Sequence, residues 1–240
     1  MKRFFALTLA AMFLCLPLLM TSCGGTEVEN IDGKTASEAY FGSIEIMEDL
    51  GRHEITVDIK SGLKLGPVKV PFVNQKKAVK HSYDGDKMSY RASDKYFDQL
   101  MDVDPDDKYK KGICEIDDKV YILNNDDSVS SYSKGTYRIE ESEYQDAVAR
   151  ILRNEIADAT CYKDMNGYHF VLELEEDDLV MFWDDDTCVG ETYTVYIDED
   201  GRLTKIVVDV DFGIAFGKFV STYTYDDLEP ITVPEGPEDF

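Results

Sequence analysis

The chain has 240 residues, with 49 Asp and Glu against 25 Lys and Arg, and a formal net charge of −24. That balance argues against a nucleic-acid partner, which rewards clustered Lys and Arg, and against flat adhesion to an anionic membrane surface. Hydrophobic residues make up 43% and aromatic residues 12%, enough for a packed core rather than a disordered chain, and the length fits one domain.

Lys2 and Arg3 precede the apolar run "FFALTLAAMFLCLPLLM", residues 4–20. This is the layout of a secretory signal peptide. A membrane span needs about 20 apolar residues, whereas this run is shorter and broken by Pro17. It ends in "MTSC", which resembles the bacterial lipobox: an apolar residue, two small ones, then the cysteine that takes lipid. The resemblance implies a signal peptide over 1–22, cleavage between Ser22 and Cys23, and a diacylglyceryl thioether on Cys23. Two acyl chains make a lasting anchor where one is marginal. The expected location is the bacterial cell envelope, lipid-anchored and facing outside the cytoplasm. Residues 23–34 are expected to be the lipidated cysteine and a flexible tether. The eleven residues "GGTEVENIDGK" then span roughly 18 Å on average.

The first element is a helix over 35–50. Thr35 and Glu38 have capping-box spacing, Ala36, Tyr40, Ile44 and Met47 recur at helical spacing, and Gly51 stops it. "HEITVDIK" then alternates, and a shift of parity across Gly66-Pro67 predicts a bulge or bend near a sheet edge. Hairpins follow around Asp84-Gly85 and Asp117-Asp118, and "SSYSKGTYRIE" adds a strand. A second helix over 141–156 starts from a Ser142–Gln145 capping box and carries Tyr144, Val148, Ile151 and Leu152 on one stripe. The last third alternates almost throughout. "DATCYKD" pairs with "YHFVLELEE", "ETYTVYID" with "RLTKIVVDVDF", and "KFVSTYTY" closes the series. Residues 226–240 read as an acidic, Pro-rich tail.

The expected fold is α+β: a curved antiparallel sheet, a half-barrel of roughly ten strands, with two helices on its concave side, over residues 35–225. The order of lipobox, tether, capped helix, long hairpins, "VYIDEDGRLTKIVVDV" and "YTYDDLEPITVPEG" resembles bacterial lipoproteins of the LolA/LppX-like half-barrel group. The resemblance covers about residues 35–234. It implies a cavity between sheet and helices, which several members use for lipids or lipoproteins, and it carries over no individual ligand residue.

Chemistry-bearing motifs are sparse. His53, His81 and His169 have no metal spacing, and "HEITV" lacks the second histidine of a zinc-protease helix. "DVDPDD" starts like a calcium loop but has Asp107 where Gly is needed and Ile113 where Glu is needed. The expectation is therefore no catalytic residue, no metal and no cofactor. Cys114, Cys161 and Cys188 allow at most one disulfide and read as buried thiols.

Two functions fit this pattern. The first is a non-enzymatic binding protein for an apolar or lipid-like ligand. Its candidate cavity contacts are Tyr40, Ile44 and Met47 from the first helix, Trp183 from "LVMFW", and Phe216 from "FGIAFGKF". The second is a structural or interaction lipoprotein with a filled core that meets a protein partner at the envelope. The motive for the first is a count of faces, since two short helices cover only part of a long sheet.

Overall fold

The computed structural model describes residues 25–71, 77–85, 87–92, 111–116, 119–123, 129–134, 143–154, 159–182 and 186–232. Ser22, Cys23, Trp183 and the "DVDPDD" stretch lie outside the described residues. So does Ser142 of the second capping box.

Among the described residues, thirteen strands form one open sheet, antiparallel at every pairing. They are β1 (Thr26–Val28), β2 (Arg52–Leu65), β3 (Val68–Pro71), β4 (Lys77–Asp84), β5 (Lys87–Ala92), β6 (Lys111–Ile116) and β7 (Lys119–Leu123). The rest are β8 (Val129–Lys134), β9 (Thr160–Asp164), β10 (Gly167–Glu175), β11 (Gly190–Asp198), β12 (Leu203–Asp211) and β13 (Ala215–Thr224). The order across the sheet is β1-β9-β10-β11-β12-β13-β2-β4-β5-β6-β7-β8, with β3 folded back on β2. The α+β reading therefore holds at the level of a large, half-barrel-like antiparallel sheet with two helices.

Helix α1 (Ala36–Leu50) starts as its sequence dictates. The Thr35 hydroxyl accepts the Glu38 amide, the Glu38 carboxylate accepts the Thr35 amide, and Gly51 ends the helix at φ 65°. Helix α2 is Glu143–Asn154. Both helices bury their stripes on one face of the sheet. Tyr40, Met47, Tyr144, Val148 and Ile151 pack with Phe170, Leu172, Tyr193, Val195, Ile206 and Val208. Strand register puts those sheet residues directly opposite one another, as in Phe170 with Val195 and Val195 with Ile206. The Tyr40 hydroxyl donates to the Gln145 carbonyl and so ties the two helices together.

The sequence reading needs three corrections. Residues 26–34 are no flexible tether. β1 pairs with β9, and Ile31 is buried in the core; Val28 and Ile31 are apolar residues that a solvated linker does not need. Gly66-Pro67 is the two-residue turn of the β2–β3 hairpin rather than a bulge or bend, with Gly66 at φ 62° as that turn demands. The segment after β13 is also fixed through residue 231. The Ile231 amide donates to Asp84, Lys87 donates to the Ile231 carbonyl, and Arg52 donates to the Leu228 carbonyl. Ile231 packs on Cys114 and Ile116, which form a small separate core with Tyr121. Cys114, Cys161 and Cys188 are buried, and no two of them are joined by a disulfide.

Candidate functional site

The helix-bearing face does not end where the helices end. On β2 the residues of that face are Ile55, Val57, Ile59, Ser61, Leu63 and Leu65, because alternate side chains share a face. Exposure rises along this series: Ile55 0%, Val57 4%, Leu63 45% and Leu65 64%. The hairpin continues it, since Leu65 pairs with Val68 and Leu63 with Val70, and both valines are exposed. Ala215 pairs with Leu63, and the neighbouring Ile214, in the β12–β13 turn, is 80% exposed. Leu63, Leu65, Val68 and Val70 thus share this face at one end of the sheet and are exposed there, while Ile214 lies at the same end beside Lys64 of the opposite face.

The border between the covered and bare parts is built by Glu191. This buried carboxylate faces the core between β10 and β12. It accepts the backbone amides of Val180, Met181 and Phe182, the last at 2.6 Å, and the Tyr193 hydroxyl at 2.6 Å. Burial, and then the bond to Glu191, pushes the Tyr193 hydroxyl well above its ordinary pKa, so it stays a donor. The fixed backbone aims Phe182 at Phe212, edge-on at 5.4 Å, and at Phe219 at 6.2 Å. Tyr144 of α2 meets Phe219 at 5.2 Å. This aromatic row closes the core on the side toward Leu63. Glu191 was missed in the sequence reading, although it extends the buried series Tyr193, Val195, Ile197 by one step.

The expected cavity contacts do not all converge. Tyr40 and Met47 are buried in the helix–sheet core and Ile44 packs at its margin. The Tyr40 ring meets Phe170 edge-on at 6.4 Å, so helix and sheet touch directly there. Phe216 is buried too, but on the opposite face, because it pairs with Asp211 and Gly62 while its neighbour Gly217 faces the core. Gly62 makes room for it, since a side-chain carbon there would lie 2.7 Å from the Phe216 ring. Lys69 sits 5.3 Å above that ring. Around it the opposite face is ionic, with Lys218 bonded to Asp209 at 2.8 Å and Lys64 paired with Asp211. Against the upward push of desolvation, Lys64 and the Gly213 amide hold the Asp211 carboxyl below its ordinary value. The two faces at this end therefore differ in kind, one bare and apolar, the other charged and paired.

Two other groups have chemical potential. His53 is buried, stacked on Tyr83 at 4.4 Å, and neither ring nitrogen has a partner among the described residues. Burial pushes its pKa down to about 4, so it is neutral near pH 7. His169 lies on the face opposite the core, stacked on Tyr162 and 3.3 Å from Asp164. Among the described residues, no three His, Cys, Asp or Glu side chains are grouped to hold a metal ion.

No family model matches the sequence, and no curated protein matches it. Among solved structures the chain is similar to a DUF1329 family protein from Desulfovibrio piger, at 11% identity over 80% of this chain and 94% of that one. The TM-score is 0.20, so this likeness carries no argument.

Proposed function

We propose that the chain is a lipid-anchored, extracytoplasmic envelope lipoprotein that binds an apolar or lipid-like ligand without catalysis. In this reading Cys23 carries the anchor after cleavage behind Ser22. The sheet is a half-barrel of the LolA/LppX-like kind, with its helix-bearing face concave. The single observation that supports ligand binding is the bare apolar end formed by Leu63, Leu65, Val68 and Val70. Contiguous apolar surface of this kind on a water-soluble domain marks a binding site. A ligand held there contacts the aromatic row of Phe182, Phe212 and Phe219 at its inner end.

The direct packing of Tyr40 on Phe170 favours a second reading. A core closed by side chains leaves the bare end for a protein partner rather than a lipid. The two readings separate by native mass spectrometry of the chain from Gly24 onward, purified from its host. The lipid reading expects a co-purified apolar molecule, released by organic extraction. Empty protein that also takes up no added fatty acid contradicts it and leaves the partner reading. The anchor has its own test: Cys23→Ser is expected to abolish incorporation of labelled fatty acid and to leave an unprocessed precursor.

A further inference from the structure

We infer that the β9–β10 tip, led by Met165, docks into the lipid surface in which Cys23 is anchored; this rests on the lipidation of Cys23 proposed above. Thr26 pairs with Lys163 in the β1–β9 ladder. Gly25 lies so tightly against Lys163 and Asp164 that a side-chain carbon on it would overlap the Lys163 carbonyl. The chain is thus pinned at residue 25, and a single residue, Gly24, stands between it and Cys23. Two peptide units reach at most about 7.6 Å between their end Cα atoms. The tether expected from sequence becomes a short leash.

What lies beside that leash is apolar. The turn after Asp164 consists of Met165 and Asn166, and Met165 is 94% exposed, the most exposed large hydrophobic residue described. Two-residue turns draw on Gly, Asn, Asp and Ser for their backbone, so the turn itself gives no reason for Met. Methionine is flexible and apolar, suited to an irregular apolar surface. Lys163 flanks it, its ammonium 5.1 Å above the Tyr168 ring, a cationic and aromatic pair of the sort found at membrane–water boundaries. The nearby β11–β12 turn is acidic at Asp198, Glu199 and Asp200, but Arg202 pairs with Asp198 and Asp200. Such charge is screened beyond about 8 Å at physiological salt. One methionine docks weakly alone; the anchor supplies the effective concentration that keeps it there.

The strands then fix which end faces away. Gly167 starts β10 beside the tip and Glu175 ends it beside Gly190. Nine strand residues rise roughly 30 Å, so Leu65, Val68 and Ile214 sit at the far end, presented away from the anchoring membrane.

The test uses the full-length protein, acylated in a bacterial host and reconstituted in phosphatidylethanolamine–phosphatidylglycerol vesicles. Acylation of Cys23 is first read from the mass of the N-terminal peptide; its absence overturns both the anchor and this inference. A photo-crosslinking amino acid replaces Met165 in one variant and Ile214 in another. Lipid adducts are expected several-fold more often from position 165. A flexible Gly-Ser insert between Gly24 and Gly25 is expected to abolish that preference while acylation continues. Equal labelling of the two positions in acylated protein, or a preference untouched by the insert, overturns the docking and leaves the anchor standing.

Discussion

Compare the two ends of β2. Ile55 and Val57 and then Leu63 and Leu65 share one strand, one face and one alternation, yet the first pair is buried and the second is bare. Pattern alone does not distinguish them. The difference comes from elsewhere in the chain: helix α1 packs on β2 and the first pair belongs to the helix–sheet core, whereas the second pair is exposed. An alternating strand thus announces a face to bury, and only the tertiary arrangement says whether the protein buries it itself.

The largest expected effect breaks the border between the two ends. Glu191→Ala strands three backbone amides and the Tyr193 hydroxyl, and is expected to cost roughly 3–5 kcal/mol in urea unfolding, since four buried or half-buried donors lose an acceptor together. A loss under about 1 kcal/mol would contradict the role of Glu191 as the clamp. Within the covered part, Leu172→Ala is expected to cost about 2–5 kcal/mol by removing fully buried methyl groups. At the bare end Leu65→Ser is expected to stay within about 0.5 kcal/mol of wild type. Equal costs at the two positions would erase the comparison.

Acid sharpens it in a different way. His53 is neutral in the fold with a pKa near 4, against 6.5 unperturbed, because of burial. The unfolded chain therefore binds the extra proton first as pH falls. Full stability is present above pH 6.5, declines between about 6.5 and 4, and the loss is complete below. A shift of this size corresponds to about 3 kcal/mol. The rings packed on His53 are Tyr83 and Tyr225, neither of which supplies a compensating negative charge near neutrality. His53→Phe is expected to flatten this part of the stability–pH curve in denaturant titrations at stepped pH. A curve that keeps its slope would assign the acid sensitivity to other groups. A local effect is smaller than these core losses: Thr35→Ala removes the α1 cap and is expected to cost about 1 kcal/mol.

Much of this architecture was legible in the sequence. The α1 capping box is a local signal and is present as read. The hairpins of the last third follow from alternation plus tight turns: β9 pairs with β10 and β11 with β12 as expected. Signals that depend on distant chain were not legible. β1 is three residues long, too short for a period, and exists because β9 offers an edge. Ile231 looks like tail residue until Asp84 and Lys87 hold its backbone. Phe216 was expected among the cavity contacts, but one residue of strand parity separates its face from that of Gly217. Glu191 was hidden by its charge: a carboxylate in a buried series reads as an interruption unless three amides are known to converge on it. Of the candidate site, the apolar character of "FGIAFGKF" was visible, whereas its neighbours Leu63, Leu65, Val68 and Val70 join it only through the β2–β3 hairpin and the β2–β13 pairing.

The central claim is that the bare apolar end holds the ligand. It is tested most directly by titrating a fluorescent fatty acid into the chain from Gly24 onward, alongside Leu65→Asp and Val68→Asp variants shown by circular dichroism to be folded. The account predicts saturable binding by the wild type and at least a tenfold weaker affinity in each variant, the order of about 1.4 kcal/mol expected from placing a charge in an apolar contact. Wild-type affinity in both folded variants, or no saturable binding by any of the three, would contradict it.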